Sequence, residues 1–349
     1  MKNINLENFN INDDSATFII AELSGNHGHN IEIAKKTILA MKDSGADAVK
    51  LQTYTPDTIT LDSDKECFQI NHGTLWDGQN MYNLYKKAYT PWEWHKELQE
   101  YSKSLGLIFF SAPFDHTAVD FLEELNIPIY KIASPEITDI PLIEYTASKG
   151  KPIIISTGIA TLNEIKEAME ACKRVGNENI MLLKCTSAYP TPLVDVNLKT
   201  IPHMKDLFNV PVGLSDHTLG MSVPIAAVTL GAKIVEKHFI LSKEIDSPDK
   251  DFSLTPSEFK DMVTSIRDIE KALGRVTYEL TDSMKIGRIG RRTLFCVKDI
   301  KKGEMITTEN VMSKRPGEGI SPKYLKTVIG KVAKSDISKA TALQWDLIE

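Results

Sequence analysis

Several features that assign a chain to a common protein class are scarce or missing from these 349 residues. The four cysteines are isolated, without CxxC spacing, which argues against a zinc knuckle or a disulfide framework. No apolar run approaches the ~20 residues that a membrane-spanning helix needs. The polar N-terminal sequence MKNINLENFN also lacks the apolar centre of a signal peptide. We therefore expect a cytoplasmic protein with free thiols.

Charge of one sign is not concentrated anywhere in the chain. The formal net charge is −6, from 41 Lys and Arg against 47 Asp and Glu. The chain contains no long basic run, which argues against nucleic acid as a partner. No glycine-rich dinucleotide turn follows the first apolar run. The hydrophobic content of 42% is enough to fill a sizeable core.

Eight short, continuously apolar runs recur along the chain and predict buried parallel strands. They cover residues 18–23, 48–53, 107–113, 129–134, 152–157, 180–185, 212–217 and 234–239. Helical spacing in the intervals, as over 31–42, 91–105, 161–174 and 256–273, alternates with these runs. Glycines suited to left-handed C-caps follow the predicted helices at Gly45, Gly106, Gly150, Gly176 and Gly231. The pattern predicts an α/β protein with a (β/α)8 TIM barrel, with an open α/β sheet as the alternative.

Two segments depart from this alternation. Residues 54–89 are polar and aromatic, and we expect an extended loop at the end of the barrel where loops shape the substrate pocket. From residue 291 onward, short strand-like pieces with turn signals predict a small C-terminal β-rich domain. The expected organisation is a catalytic barrel over 1–275, a linker over 276–290 and the small domain over 291–349. A unit so small is expected to dock on a barrel mouth, its own or a partner's.

Charged residues stand at the carboxyl ends of several predicted strands, where barrel enzymes place their active sites. Alternation along each strand would direct Glu22, Lys50, Lys131 and Glu236 towards the barrel axis. A buried lysine needs an anion, either one of these glutamates or a bound phosphate or carboxylate. The alternative is an internal ion-pair network that only fills the barrel. The joint pattern favours a ligand.

Two histidines end the seventh and eighth predicted strands, which would be neighbours ~4.8 Å apart. His217 and His238 can share one metal ion, with Asp249 as a further ligand, and such a site suits Mn²⁺ or Mg²⁺ better than structural zinc. His27 follows the first strand and is a further candidate, with a loop role in backbone contacts as its alternative. Serines also stand at strand ends, at Ser134, Ser156, Ser187 and Ser215. Their hydroxyl groups can donate to phosphate or carboxylate oxygens, and the alternative is a role in turns.

Nine motifs extend over nearly the whole chain: AELSGNH, GADAVKLQT, YKIAS, STGIAT, LKCTSAYPTP, GLSDH, EKHF, RRTLFCVKDIKKGE and KRPGEGISP. In combination they resemble the sialic acid synthase family. Within it, the segment from Gln52 to His95 is most similar to the bacterial pseudaminic acid synthases. The resemblance implies a TIM barrel that condenses phosphoenolpyruvate with an N-acetylated amino sugar. It also implies a C-terminal antifreeze-like (SAF-type) domain that is swapped across a homodimer.

The same resemblance implies roles for individual side chains. Phosphoenolpyruvate would be held by Lys50, Lys131, Ser134, Ser156 and Ser215. The divalent metal would be bound by His217 and His238. Glu22 and Tyr189 would border the sugar, and Asp249 would lie near the metal or the sugar hydroxyls. Arg315 would reach in from the partner's small domain. The candidates for proton transfer are Glu22, Glu136 and Glu236.

Two positions depart from the family pattern. Ser187 stands where asparagine is usual, and Ala112 replaces a threonine donor, which leaves Ser111 as a substitute. The expected sugar is a 2,4-diacetamido-2,4,6-trideoxy hexose, whose recognition depends on pocket shape. Its apolar walls are expected to come from Phe114, Leu75, Trp76 and Tyr82, with core packing or loop anchoring as the alternative for each.

Other functions remain open at this point. The nearest alternatives are synthases of legionaminic or N-acetylneuraminic acid. A metal-dependent aldolase that uses pyruvate would belong to a second class and would release no phosphate. A carbohydrate-binding or ice-binding protein is a third class, but residues 291–349 are rich in lysine, glutamate and turns rather than in regularly spaced threonines.

Overall fold

The computed structural model describes residues 3–7, 9–71 and 73–349. The chain divides into two compact units, the first ending at Gly274 and the second comprising Arg275–Glu349. Among the described residues, no helix combines the length and apolar character needed to cross a membrane.

The first unit is a TIM barrel. In the part of the chain that the structure describes, eight parallel strands, β3 to β10, close into a ring in which each strand pairs with the next and β10 pairs with β3. The strands in chain order are β1 Ile4–Leu6, β2 Phe9–Ile11, β3 Phe18–Glu22, β4 Ala48–Thr53, β5 Ile108–Pro113, β6 Tyr130–Ile132, β7 Ile153–Ser156, β8 Ile180–Cys185, β9 Val212–Asp216, β10 Ile234–His238, β11 Thr293–Cys296 and β12 Val311–Lys314. The predicted fold class is confirmed, and the open sheet is excluded.

Side chains alternate between the inside and the outside of the barrel. Phe18 and Ile20 of β3 lie in the interior cluster, whereas Ile19 between them packs outward in the cluster that the helices cover. The same alternation places Ala48 inside and Val49 outside. Polar residues in phase with the interior set therefore also face the axis, as the strand patterns predicted.

The barrel is closed at its amino-terminal end by the antiparallel hairpin of β1 and β2, in which Ile4 pairs with Ile11. Ile4, Leu6 and Ile11 are buried in the same cluster as the inward residues of the barrel strands. This hairpin was not predicted from the sequence, because each of its strands has only three residues.

The helices begin and end where local signals predict. Thr161 and Thr255 each form a capping box with the glutamate three residues later. All five predicted C-cap glycines have φ between +73° and +97°. The helices are α1 Ile31–Asp43, α2 Pro56–Ile59, α3 Met81–Ala88, α4 His95–Ser104, α5 His116–Glu124, α6 Ile140–Ser148, α7 Leu162–Arg174, α8 Thr200–Phe208, α9 Ser222–Thr229, α10 Pro256–Leu273, α11 Asp282–Gly287 and α12 Leu325–Val328.

The segment after β4 differs from the prediction. Residues 54–89 were expected to be one extended loop, but they contain α2 and α3. Both helices are short, and they are specified by their caps rather than by a long apolar pattern: Thr55 caps α2 in a capping box, and the Asn80 side chain accepts from the first turn of α3.

The second unit has a small core of its own. Strands β11 and β12 pair antiparallel, with Thr293 opposite Lys314. Leu294, Ile306 and Leu343 are among the residues of its buried cluster. The predicted small C-terminal domain is therefore present as a separately packed unit.

Candidate active site

A cavity of about 500 Å³ opens at the carboxyl ends of the barrel strands. Most of the predicted site residues line it: Lys50, Lys131, Ser134, Glu136, Ser156, Tyr189, Ser215, His217, Glu236, His238 and Asp249. Glu22 lies fully buried next to Lys50. Arg315 belongs to the second unit, where it is exposed, and its role stays a prediction.

Two lysines and two glutamates form one buried ion-pair network at the floor of this cavity. Lys50 Nζ lies 2.6 Å from Glu22 Oε2 and 3.6 Å from Glu236 Oε1. Lys131 Nζ lies 2.6 Å from Glu236 Oε2. Strand register produces part of this geometry, because Glu22 and Lys50 are directly opposite on β3 and β4. The ion pairs foreseen as the alternative do exist, but Lys50, Lys131 and Glu236 line a cavity, with Glu22 buried behind Lys50.

The charges of the network are set by burial and by mutual attraction. Burial raises the pKa of Glu22 to about 7, although Lys50 opposes this shift. Burial also disfavours the carboxylate of Glu236, but Lys131 and Lys50 outweigh it and lower its pKa. Glu236 is therefore a fixed anion at neutral pH, whereas Glu22 can gain or lose a proton there.

Hydroxyl groups surround a glycine beside the lysines. The Ser134 hydroxyl accepts a hydrogen bond of 2.9 Å from the backbone N–H of Gly158, and it also hydrogen-bonds with the Cys185 thiol. A Cβ at Gly158 would lie 2.3 Å from Ser187 Oγ and 2.7 Å from Ser134 Oγ, so only glycine leaves room for both. The buried Ser156 hydroxyl has no hydrogen-bond partner among the described residues. An anionic ligand would satisfy such donors.

His217 directly follows β9 and His238 ends β10, and the two histidines are neighbours in the cavity wall. The centroids of the His217 and His238 rings are 5.3 Å apart. His238 Nδ1 is buried without a hydrogen bond among the described residues, and Asp249 Oδ2 lies 3.7 Å from it. In the same part of the chain, no group of three or more His, Cys, Asp or Glu side chains is arranged as a metal site. The protein therefore offers an imidazole pair with one carboxylate beside it.

The upper wall of the cavity is aromatic and apolar. Tyr189 contacts His217 and Trp76, with ring centroids 4.4 and 5.4 Å away. Trp76 and Phe114 line the cavity as predicted, but the predictions for Leu75 and Tyr82 are wrong. Leu75 is 45% exposed, and the Tyr82 hydroxyl donates to Asp57 at the surface. Their place is taken by Ile59, Ile70, Met81, Leu84 and Tyr85.

Two further expectations are resolved by strand alternation and burial. Ser111 cannot replace the threonine donor, because it points outward and contacts Thr53 at 2.6 Å, on the opposite side from Ala112. His27 has the loop role given as its alternative: it is buried, it lies 3.1 Å from Thr90 Oγ1 and its Nδ1 accepts from the His29 N–H. Burial lowers the pKa of His27 to about 3, so it is neutral.

Gln52 and Cys185 also line the cavity, although neither was predicted as a site residue. Gln52 donates a hydrogen bond of 3.1 Å to Glu22 Oε1. Cys185 lies 3.8 Å from His217 Nδ1. Both share the parity of inward neighbours, Lys50 and Leu183, so alternation along the strand was the signal that could have identified them.

Comparison with known proteins assigns the family. Residues 37–278 match the model of the NeuB family, and residues 291–349 match that of the SAF domain. This chain belongs to the NeuB family. The family resemblance seen in the motifs, the sialic acid synthase family, is thereby confirmed.

Similar proteins of this family are known from several bacteria. The chain is 48% identical over 335 residues to a pseudaminic acid synthase of Campylobacter jejuni, covering 96% of this chain and 97% of that protein. It is 40% identical over 338 residues to an N,N'-diacetyllegionaminic acid synthase of Legionella pneumophila, covering 95% and 94%. A solved N-acetylneuraminic acid synthetase from Leptospira borgpetersenii, in complex with citrate, superposes with a TM-score of 0.72 at 33% identity, covering 82% of this chain and 95% of that one.

Proposed function

We propose that this NeuB-family chain is a pseudaminic acid synthase. It joins phosphoenolpyruvate to a 2,4-diacetamido-2,4,6-trideoxy hexose and releases inorganic phosphate. The observation that carries the proposal is the cavity floor, where Lys50 and Lys131 lie beside serine hydroxyls and a pair of imidazoles. The 48% identity to the C. jejuni pseudaminic acid synthase supports this choice of sugar over the alternatives within the family.

The floor suits phosphoenolpyruvate because that molecule carries a phosphate and a carboxylate. Lys50 and Lys131 act as point charges for these groups. Ser134 and Ser156 donate their hydroxyl protons. Ser187 lies beside Ser134 at Gly158, and the Ser215 hydroxyl donates to Glu236 Oε1 at 3.4 Å. Glu22 takes up a proton when the ligand's negative charge arrives, since burial already raises its pKa to about 7.

The imidazole pair fits a divalent cation. His217 and His238 would hold Mn²⁺ or Mg²⁺, with Asp249 next to them, and the unpartnered Nδ1 of His238 is the atom that fits this role. A metal bound there supplies Lewis acidity to the aldehyde oxygen of the open-chain sugar. Tyr189 packs against His217 and fixes that ring.

In the reaction, C3 of phosphoenolpyruvate forms the new bond to the sugar aldehyde carbon, water adds at C2, and phosphate leaves from the tetrahedral carbon. The proton transfers need groups that titrate near neutral pH. Burial raises the pKa of Glu136 to about 7, and its side chain lines the cavity. Glu22 and Glu136 therefore serve as the proton donors or acceptors, while Glu236 holds Lys131 in place.

The test is turnover with a defined panel of substrates. The protein is incubated with phosphoenolpyruvate, Mn²⁺ or Mg²⁺ and single diacetamido or monoacetamido hexoses, and inorganic phosphate is measured. Since stereoisomeric products have equal mass, NMR of the product identifies the nine-carbon acid. Condensation of pyruvate without phosphate release would establish the aldolase instead. Preference for a diacetamido sugar of another configuration would establish a legionaminic acid synthase.

We also propose a domain-swapped homodimer in which Arg315 of one subunit completes the sugar site of the other. The SAF-domain match over residues 291–349 and the exposure of Arg315 support this role.

A further inference from the structure

The cavity has two chemically different parts. Its floor carries the lysines, Glu236 and hydroxyls, whereas its upper wall carries aliphatic and aromatic side chains. Ile59, Ile70, Met81 and Leu84 of this wall all come from the segment between β4 and α4. Phe114, after β5, continues the wall. We call these five residues the apolar wall.

The apolar wall is held in a fixed place by polar contacts behind it. The Asn80 side chain accepts from the first turn of α3, and its amide donates a bond of 2.8 Å to Ser63 O. A Cβ at Gly25, in the loop after β3, would lie 3.1 Å from Ala88 O, so α3 approaches the barrel closely at this point. The Ile70 N–H donates a bond of 2.9 Å to Gln79 O. The wall is therefore a preformed surface.

The position of phosphoenolpyruvate dictates which end of the sugar meets this wall. The charged floor holds the phosphate and carboxylate, so the sugar aldehyde must face the floor to reach C3. The far end of the open-chain sugar, from C4 to C6, then extends towards the mouth. Gln52 and Tyr85 are polar groups on the way and can bond to amide groups of the sugar.

We propose that Ile59, Met81 and Leu84 form the specificity site for the deoxy C6 carbon and the C4 acetamido methyl group of the sugar. The inference rests on the proposed function. Burying a methyl group against aliphatic side chains lowers the free energy of binding. A C6 hydroxyl in the same place loses its water and finds no hydrogen-bond partner on the three side chains.

The test compares two sugars on matched variants. One sugar is the 2,4-diacetamido-2,4,6-trideoxy hexose, and the other is a 2-acetamido hexose that keeps hydroxyls at C4 and C6. Met81→Gln gives a hydroxyl a partner, so the ratio of the two kcat/KM values should fall by about 10-fold or more, the usual range for such pocket contacts. Ile59→Thr should lower it in the same direction. Met81→Leu keeps the wall apolar and should retain the preference.

Leu75→Gln is the matched control, because Leu75 lies in the same segment but is 45% exposed and outside the cavity lining. It should leave the ratio unchanged, and KM for phosphoenolpyruvate should be unaltered in every variant. If the wild-type protein prefers the diacetamido sugar but Met81→Gln and Ile59→Thr leave the ratio intact, the inference is overturned and the proposed function stands. If the wild-type protein prefers the hydroxylated sugar, both are overturned.

Discussion

At the scale of single residues, the charge state of each buried lysine in the cavity floor depends on the glutamate beside it. Lys131 is 2% exposed and survives as a cation beside Glu236, although burial lowers its pKa. Lys50 keeps a raised pKa despite burial, because Glu22 and Glu236 are both within reach. Each lysine is thus held ready for an anion before any ligand arrives.

Replacing Lys131 with methionine should weaken phosphoenolpyruvate binding. Loss of one buried, charge-paired contact typically costs about 2–5 kcal/mol of binding free energy, so KM for phosphoenolpyruvate should rise about 30-fold or more. Steady-state kinetics at saturating sugar measure this change. Lys271→Met, at a side chain that is 78% exposed, is the control and should behave as the wild type. An unchanged KM in Lys131→Met would remove this lysine from the site.

The raised pKa of Glu136 makes stability depend on pH. An acid whose pKa rises from 4.5 to about 7 on folding destabilises the folded state as pH increases between these values. Glu136→Gln removes this penalty, so the variant should become about 1–3 kcal/mol more stable than the wild type at pH 8 and lose that advantage near pH 4.5. Urea unfolding across this pH range is the measurement. The exposed Glu167→Gln should show no such trend.

At the scale of elements, β9 and β10 show how alternation organises the site. Glu236 is opposite Ser215 and Lys237 is opposite Asp216 along the two strands. The first pair faces inward to the cavity, whereas the Lys237–Asp216 pair faces outward. The following step returns inward, to His238 and His217. A buried outward ion pair thus lies between two functional inward pairs.

Lys237→Met should destabilise the fold strongly. Lys237 Nζ is 2.5 Å from Asp216 Oδ2 and also donates to Thr218 O, and its side chain is fully buried. Its removal leaves Asp216 as a buried unpaired charge, at a typical cost of about 3–5 kcal/mol in the free energy of unfolding. Chemical denaturation measures the loss. The double variant Asp216→Asn/Lys237→Met should recover part of it, and equal stability of both variants would argue that the pair is not coupled.

Most strands, and the inward residues of the cavity floor, were predictable from the sequence because both depend on the apolar pattern along each strand. Continuous apolar runs identified the eight barrel strands, and alternation then placed Lys50 and Glu236 inside. Parity applied to β5 would also have excluded Ser111. The segment 54–89 was less predictable, because α2 has only four residues and α3 eight. Helices this short show no clear apolar pattern in the sequence and are stabilised mainly by their packing on the barrel. The choice of Leu75 and Tyr82 over Met81 and Leu84 as wall residues was wrong for this reason.

At the scale of the whole molecule, the proposed swap makes catalysis depend on two subunits. If Arg315 acts on its partner's site, mixed dimers of Arg315→Ala and Lys131→Ala subunits contain one site with both residues intact. Co-expressing the two variants should restore part of the activity that each lacks alone. Each variant expressed by itself is the control. Complete failure to complement, with mixed dimers present, would argue that Arg315 serves its own subunit or none.

Among the described residues, the hairpin closes the amino-terminal end of the barrel, and the cavity opens at the carboxyl ends of the strands. Ile4, Leu6 and Ile11 seal the lower end together with inward residues such as Met181, so no molecule passes beneath the lysines. A sugar seated above the floor would therefore bar phosphoenolpyruvate from entering, which imposes an order of arrival with phosphoenolpyruvate first. An unreactive sugar analogue should then inhibit uncompetitively with respect to phosphoenolpyruvate, and competitive inhibition would reveal a second way in.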